Sequence, residues 1–284
     1  MRSKMKRDLM GVIGAVALYA LLMGLIESEV IGAFWQLNIV LICINIILAV
    51  SLNLITGFTG QFSIGHAGFM AVGAYMSAVF TVKLGLPYIV GILAGAAGAA
   101  ILGFAISLPT LRLKGDYLAI ATLGLGEIIR ITILNIPYVG GASGLMGIPR
   151  YTTFTWAFFL MVITVLFIKN FINSSHGRAC ISIRENEIAA EAMGVDTTKY
   201  KVIAFTIGAT FAGVAGGLFS HYFYIAHPAS FTFMKSFDIL TMVVLGGMGS
   251  IIYRPQGLFG NKELSLKLFS RILGGGQRGA AENK

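Results

Sequence analysis

The sequence predicts an all-α, polytopic transmembrane helical bundle of about eight membrane segments, with one charged, helix-bearing loop on the cytoplasmic side. Three observations predict it. Of 284 residues, 56% are apolar and only 12% charged, about half of the roughly 25% that covers a soluble domain. The apolar residues gather into long runs, and the basic residues, which give a net charge of +9, lie at the ends of those runs. Such a composition excludes a soluble enzyme and a disordered scaffold, and it assigns the positive charge to lipid topology rather than to nucleic acid.

A helix needs roughly 20 mostly apolar residues to cross about 30 Å of hydrocarbon, where no open structure satisfies its own backbone. Eight runs approach that length: 9–26, 37–54, 67–82, 88–108, 117–134, 154–172, 201–222 and 237–252. The first follows Arg2, Lys4, Lys6 and Arg7 as a signal peptide would. It is too long for an h-region, however, and Glu27-Ser28-Glu29 replaces a small-residue cleavage site, so it reads as an uncleaved span. The eighth holds 16 residues, which at about 1.5 Å each reach only about 24 Å, so it crosses thinly or is re-entrant.

Placing the N-terminus inside puts 1–8, 55–66, 109–116, 169–200 and 253–284, with Lys201 at the membrane edge, on one side. These segments hold 17 of the 21 Lys and Arg; Lys83, Arg150 and Lys235 fall outside, and Arg130 lies within a span. That asymmetry fixes the parity of the crossings. Small residues recur every fourth position at Gly91, Gly95, Ala99 and Gly103, and again at Ala209, Gly213 and Gly217. Stripes of this kind let helix backbones approach closely where lipid is as apolar as leucine, and packing is their expected role. Cys43 lies in an apolar run and Cys180 in the charged loop, so no disulfide is expected.

Three polar features break the apolar pattern. Between the second and third runs stands Thr56-Gly57-Phe58-Thr59-Gly60-Gln61-Phe62-Ser63-Ile64-Gly65-His66-Ala67-Gly68. Each glycine costs a helix about 1 kcal/mol relative to alanine, so a continuous helix is disfavoured. Irregular backbone at membrane depth persists only where protein or a water-filled cavity covers it, and interrupted helices often mark transport sites. Thr56, Gly57, Thr59, Gly60, Gln61, Ser63, Gly65 and His66 are therefore pathway-lining candidates, with a tight cytoplasmic turn as the alternative. For His66 alone a structural hydrogen bond is the expected role.

The second feature is the charged loop at 173–200. Ser182 and Glu185 have capping-box spacing. After them Ile188, Ala192 and Val195 share one helical face, Arg184, Glu187 and Glu191 another, and Gly194 supplies a stop. A solvated linker helix and a docking helix both fit that pattern.

The third is Glu127 and Arg130, one turn apart in the fifth run. Two mid-membrane charges cost about 5–7 kcal/mol and nine Leu and Ile return about 3–5. The pair must face the bundle interior, or Arg130 must snorkel outward. Catalytic motifs are absent: there is no phosphate loop, no Gly-x-Ser-x-Gly elbow, and no metal-type spacing among His66, His176, His221 and His227.

Several segments carry a resemblance. Leu52–Gln61 and Ser63–Phe69, Leu111–Ala119, Gly124–Arg130, Gly140–Pro149, and the loop's Gly177-Arg178-Ala179 with Arg184–Val195 resemble, in order, the LivM-type permease subunits of branched-chain amino acid importers of the ATP-binding-cassette class. The match runs from about residue 38 to 260.

The resemblance implies a permease domain at 1–253 with a coupling helix at about 183–193, and a basic cytoplasmic tail at 254–284. That helix would sit in a groove of a cytoplasmic ATP-binding subunit, its register fixed by Arg184, Glu185, Glu187 and Glu191, with Ile188, Ala192 and Gly194 completing the coupling surface. It further implies that this chain is not an enzyme and binds no cofactor, with ATP and Mg held by two ATP-binding subunits. A second permease subunit would complete the pathway, and a periplasmic binding protein would deliver leucine, isoleucine or valine across the bacterial inner membrane.

One departure from the family follows Met242–Ser250, where relatives continue through two more spans before an Arg-Pro-Gln-Gly-Leu tail. Here Ile251-Ile252-Tyr253 leads straight into Arg254-Pro255-Gln256-Gly257-Leu258, which reads as a truncated copy. The rival functions are an importer of another small solute such as a sugar, urea or an amide, and a self-contained secondary transporter relying on Glu127 and Arg130.

Overall fold

The computed structural model describes residues 2–28, 32–110, 113 and 115–249, with side chains described from Val16 onward. The tail at 254–284 and the junction after Gly249, where the family's further hairpin is expected, lie outside the described residues. Among the described residues ten α-helices follow one another: α1 (Arg2–Glu27), α2 (Ala33–Asn53), α3 (His66–Ala78), α4 (Tyr88–Thr110), α5 (Asp116–Leu134), α6 (Phe154–Asn173), α7 (Ser175–Glu185), α8 (Glu187–Ala192), α9 (Thr197–Phe223) and α10 (Phe233–Gly246). A π turn extends α2 over Leu54–Phe58 and another extends α3 over Val79–Lys83. The described strands, β1 (Leu145–Met146) and β2 (Ile225–Ala226), pair antiparallel with Leu145 opposite Ala226.

This is a multi-pass, all-α membrane bundle. Among the described residues five helical segments are long and apolar enough to cross a membrane: Ala33–Phe58, Tyr88–Thr110, Asp116–Leu134, Phe154–Asn173 and Thr197–Phe223. Of the remaining three expected runs, the apolar stretch of α1 whose side chains are described is Val16–Glu27, α3 has 13 residues before its π turn, and α10 has 14. Both α3 and α10 are short because the chain reaches them through irregular backbone instead of entering a full-length helix.

The packing centre is the trio α3, α4 and α9. Every residue of α3 except Met76 is buried. The small-residue stripes make this possible, as their spacing predicts. A methyl group at Gly73 would overlap the Gly213 backbone, one at Gly216 would overlap the Met70 carbonyl, and one at Gly95 would lie 2.6 Å from the Gly73 oxygen. Along the same seam a methyl at Gly103 would lie 2.5 Å from the Ala209 Cβ. Backbone contact of this kind replaces the hydrophobic drive that lipid removes. Around the trio, α2 packs against α6, α9 and α10, while α5 packs against α3. Cys43 belongs to the main core and Cys180 to a separate cluster with Leu54, Phe58, Ile168 and Ala204, so the two do not meet.

Candidate functional site

The polar tract begins where α2 loosens into its π turn, a form that recurs at functional positions in helices. The Thr59 hydroxyl donates to the Leu54 carbonyl at 2.9 Å, and the Gln61 amide to the Ile55 carbonyl at 3.1 Å. From Thr59 to Gly65 the chain runs irregularly, yet Thr59, Gln61 and Ser63 are at most 2% exposed. Gln61 Nε2 donates to the Lys201 carbonyl of α9 at 3.3 Å, and the Ile64 amide to the Thr122 hydroxyl of α5 at 3.0 Å. His66 then starts α3 with Nε2 at 2.9 Å from the Ser51 hydroxyl, about two turns back along α2. The tract therefore climbs back beside α2 inside the protein instead of turning at its end. His66 makes the structural hydrogen bond expected of it.

Four buried polar atoms of this tract, Thr56 Oγ1, Gln61 Oε1, Ser63 Oγ and His66 Nδ1, have no hydrogen-bond partner among the described residues; Ser77 Oγ is the fifth such atom. A buried polar group left in this state costs about 1–3 kcal/mol.

Beside it, two half-length helices begin together. The Ala67 amide of α3 donates to the Ser236 hydroxyl in the first turn of α10 at 3.0 Å. Glycines set the close approach to α5: a methyl at Gly65 would overlap the Thr122 carbonyl, and one at Gly68 would lie 2.9 Å from Gly126 Cα. Glu127 Oε1 accepts from the Phe233 amide at 3.1 Å, while its other oxygen pairs with Arg130 Nε at 2.7 Å. A carboxylate at the positive end of a helix is favourably placed. Glu127 thus caps α10 and ties it to α5, which resolves the two orientations in favour of the inward one.

Lys235 corrects the expectation that it lies outside the membrane. Its Nζ donates to Asn45 Oδ1 at 3.3 Å, and Asn45 stands halfway along the Ala33–Phe58 span. At the other end of α10 the Gly249 amide donates to Asn53 Oδ1 at 2.9 Å. So α10 starts at mid-span depth and runs alongside α2 toward the charged loop, and the chain from β2 to Gly249 passes from one end of the bundle to the other, first as irregular backbone and then as α10. One turn after Lys235, Asp238 is exposed on a face it shares with Phe233, Met234 and Phe237. Lys235, Asp238, Ser236 and Asn45 are absent from the sequence-derived candidates, although a lone carboxylate in an apolar run is a signal of function.

The charged loop contains two helices where one at 183–193 is expected. Asn186 adopts extended backbone (φ −160°, ψ 107°), ending α7 and capping α8 by accepting from the Ala189 amide at 3.0 Å. The Ser182 and Glu185 capping box does not form; Ser182 donates to the Ala179 carbonyl at 2.9 Å. Gly194 does stop the helix, at φ +84°, with its amide on the Glu191 carbonyl and the Val195 amide on the Ala190 carbonyl.

Two of the seven expected coupling residues contact the bundle. Glu187 pairs with Lys201 of α9 at 2.8 Å, and Arg184, itself exposed, reaches the bundle through Nη1, which donates to the Gly57 carbonyl at 2.8 Å. Periodicity separates the faces of a helix but does not say which one meets the protein. Here Ala190 is buried, while Ile188 (77% exposed), Glu191, Ala192, Met193 (85%) and Gly194 face outward, with Glu185 exposed at the end of α7.

At the opposite end of the bundle, the segment containing Gly140–Pro149 forms a strap. It uses positive φ at Gly140, Gly141, Gly144 and Gly147, and it pairs through β1 with β2. Arg150 lies over the rings of Tyr222 and Tyr224 at 4.9 and 5.7 Å. A crevice of about 380 Å³ opens between α3, α4 and α5, but it is apolar, lined by Val72, Met76, Leu102, Ile129 and Ile133 among others, and it is separate from the polar tract.

Residues 35–253 match the family described as the permease component of branched-chain amino acid transport systems. The chain is 39% identical over 243 residues to the high-affinity branched-chain amino acid transport system permease protein LivM of Salmonella typhimurium, covering 73% of this chain and 57% of that protein. It is 38% identical over 247 residues to LivM of Escherichia coli, with the same shares. A shorter similarity, 33% over 109 residues, links it to LivH of Escherichia coli, covering 38% of this chain and 33% of that protein. The chain thus spans 57% of the length of the LivM relatives it matches. No solved structure matches it.

Proposed function

The chain belongs to the family of permease components of branched-chain amino acid transport systems, and from that premise we propose that it is one membrane-embedded half of an ATP-binding-cassette importer for leucine, isoleucine and valine. It contributes no catalytic group. ATP and Mg are bound by two cytoplasmic subunits, a second permease subunit closes the pathway, and a periplasmic protein delivers the amino acid. The membrane is the bacterial inner membrane, and the charged loop, with the N-terminus, lies in the cytoplasm.

One observation carries this reading: α8 stands clear of the bundle with Ile188 and Met193 exposed at its tip, held on a base of Ala190 and the Glu187–Lys201 pair. Large apolar side chains presented on a short, capped helix suit a hydrophobic groove on another protein. The unpartnered polar atoms of Thr56, Gln61, Ser63 and His66 support a pathway that exchanges hydrogen bonds with a polar solute. Gly57, Thr59, Gly60 and Gly65 give that tract its shape, and Glu127 and Arg130 hold the start of α10 against it. Asp238 supports placing the outer face of α10 toward water or the second permease subunit. A carboxylate facing lipid at that depth would cost about 2.5–3.5 kcal/mol.

The test is reconstitution of the complete transporter in proteoliposomes. Uptake of leucine requires ATP inside and the partner subunits, and Ile188→Asp abolishes copurification of the ATP-binding subunits. Gradient-driven uptake by this chain alone would overturn the reading in favour of a secondary transporter.

A further inference from the structure

Arg184 carries more structural connections than a docking residue needs. It leaves the end of α7 and reaches back across 127 residues of sequence, where Nη1 donates to the Gly57 carbonyl at 2.8 Å, inside the π turn that ends α2. Its guanidinium is held from the other side by Glu185 Oε1, which accepts from both Nε and Nη2. Two glycines make room for it: a methyl at Gly60 would lie 3.1 Å from Arg184 Cγ, and one at Gly249 would overlap Nη1. Gly57 makes room for the neighbouring contact instead, since a methyl there would overlap Asn53 Oδ1 and the Gly249 amide. That amide in turn donates to Asn53 Oδ1 at 2.9 Å. The end of α2, the start of the polar tract and the end of α10 therefore meet around one side chain of the charged loop.

The far end of α10 is equally well attached. Ser236 accepts from the Ala67 amide at the start of α3, Lys235 donates to Asn45, and the Phe233 amide donates to Glu127. A helix is stiff along its axis. A displacement of Arg184 therefore acts on the tract directly at Gly57 and, through α10, at the mid-span junction where α3 and α10 begin.

We propose that Arg184 is a positioning residue that joins the ATP-driven loop to the moving half-helices, and that it does not contact the ATP-binding subunit. The proposal rests on the importer reading above and deepens it. Docking and transmission are divided between neighbours: Ile188 and Met193 face the motor, and Arg184 faces the bundle. A guanidinium suits the task because it offers a planar fork that binds a carbonyl and a carboxylate together.

The experiment compares Arg184→Gln, Arg184→Lys and Ile188→Asp in the full reconstituted complex. It reads copurification of the ATP-binding subunits, ATPase stimulation by the amino-acid-loaded binding protein, and leucine uptake. With Arg184→Gln, copurification and basal ATPase are retained while stimulation is lost and uptake falls by on the order of tenfold or more, the factor expected for one lost charge-assisted hydrogen bond. Arg184→Lys keeps the charge without the fork and recovers part of the uptake. Ile188→Asp gives the opposite pattern, with loss of the ATP-binding subunits themselves.

Loss of those subunits from a folded Arg184→Gln bundle, or unchanged stimulation and uptake, would overturn the transmission role. Failure of the importer reading shows separately, as ATP-independent uptake by the wild-type complex. If Arg184→Gln does not fold, Glu185→Gln, which loosens the guanidinium without removing it, must produce the same uncoupling in milder form; normal coupling in that variant overturns the proposal.

Discussion

The trio of α3, α4 and α9 and the polar tract beside α2 are built on opposite terms, although both depend on glycine. In the trio, Gly73, Gly95, Gly213 and Gly216 bring backbone against backbone and leave no room for a methyl group. In the tract, Gly57 and Gly65 make equally close contacts, against Asn53 Oδ1 and the Thr122 carbonyl, but the polar side chains among them, Thr56, Gln61, Ser63 and His66, each keep an atom with no partner among the described residues. One region pairs close backbone contact with an apolar interior. The other pairs it with polar side-chain atoms that are buried without a described partner.

The sharpest way to break the comparison is to add one methyl inside the trio and one at an open helical glycine outside both regions. Gly216→Ala puts carbon into the Met70 carbonyl and lowers the stability of the detergent-solubilised protein by about 1–3 kcal/mol or more, the usual cost of overpacking. Gly124→Ala, where nothing lies within 4 Å, leaves the melting temperature unchanged or slightly higher. Equal melting temperatures for the two variants would show that the trio tolerates extra volume and that the contrast is mistaken.

A second variant sharpens the contrast from the other side. Thr56→Val with Ser63→Ala removes two unpartnered hydroxyls and leaves stability within about 1 kcal/mol of wild type or raises it, since burying an apolar group of similar shape is nearly neutral. Uptake nevertheless falls several-fold. A fall in stability comparable to that of Gly216→Ala would mean that these hydroxyls hold the fold and not a pathway.

The smallest effect belongs to the loop. Asn186→Ala removes the cap of α8 and costs about 1 kcal/mol locally. Faster hydrogen exchange confined to 187–193 would read this out, with the trio unaffected. Exchange spreading into α9 would show that loop and bundle do not open as separate units.

The sequence makes one layer of this molecule legible. Apolar runs locate the helices, fourfold spacing of small residues locates the α4 and α9 seam, and Gly194 marks the end of α8. The resemblance placed the chain in its family. All of these are local or one-dimensional signals, determined by a residue and its neighbours within a turn or two. The number of crossings is less legible, because α3 and α10 begin at irregular backbone that hydropathy cannot distinguish from a short span. Similarly, the break at Asn186 competes with a plausible capping box four residues earlier, and the extended backbone at Asn186 decides between them.

What tertiary structure alone decided is the direction of each polar side chain. Arg184 finds Gly57 across 127 residues, Gln61 finds Lys201 across 140, and Lys235 finds Asn45 across 190. In an apolar interior a polar group must take whatever partner the packing brings near. Composition therefore determined that this chain lives in a membrane, and the meeting of distant segments determined which of its few charges are paired within the bundle and which stay exposed.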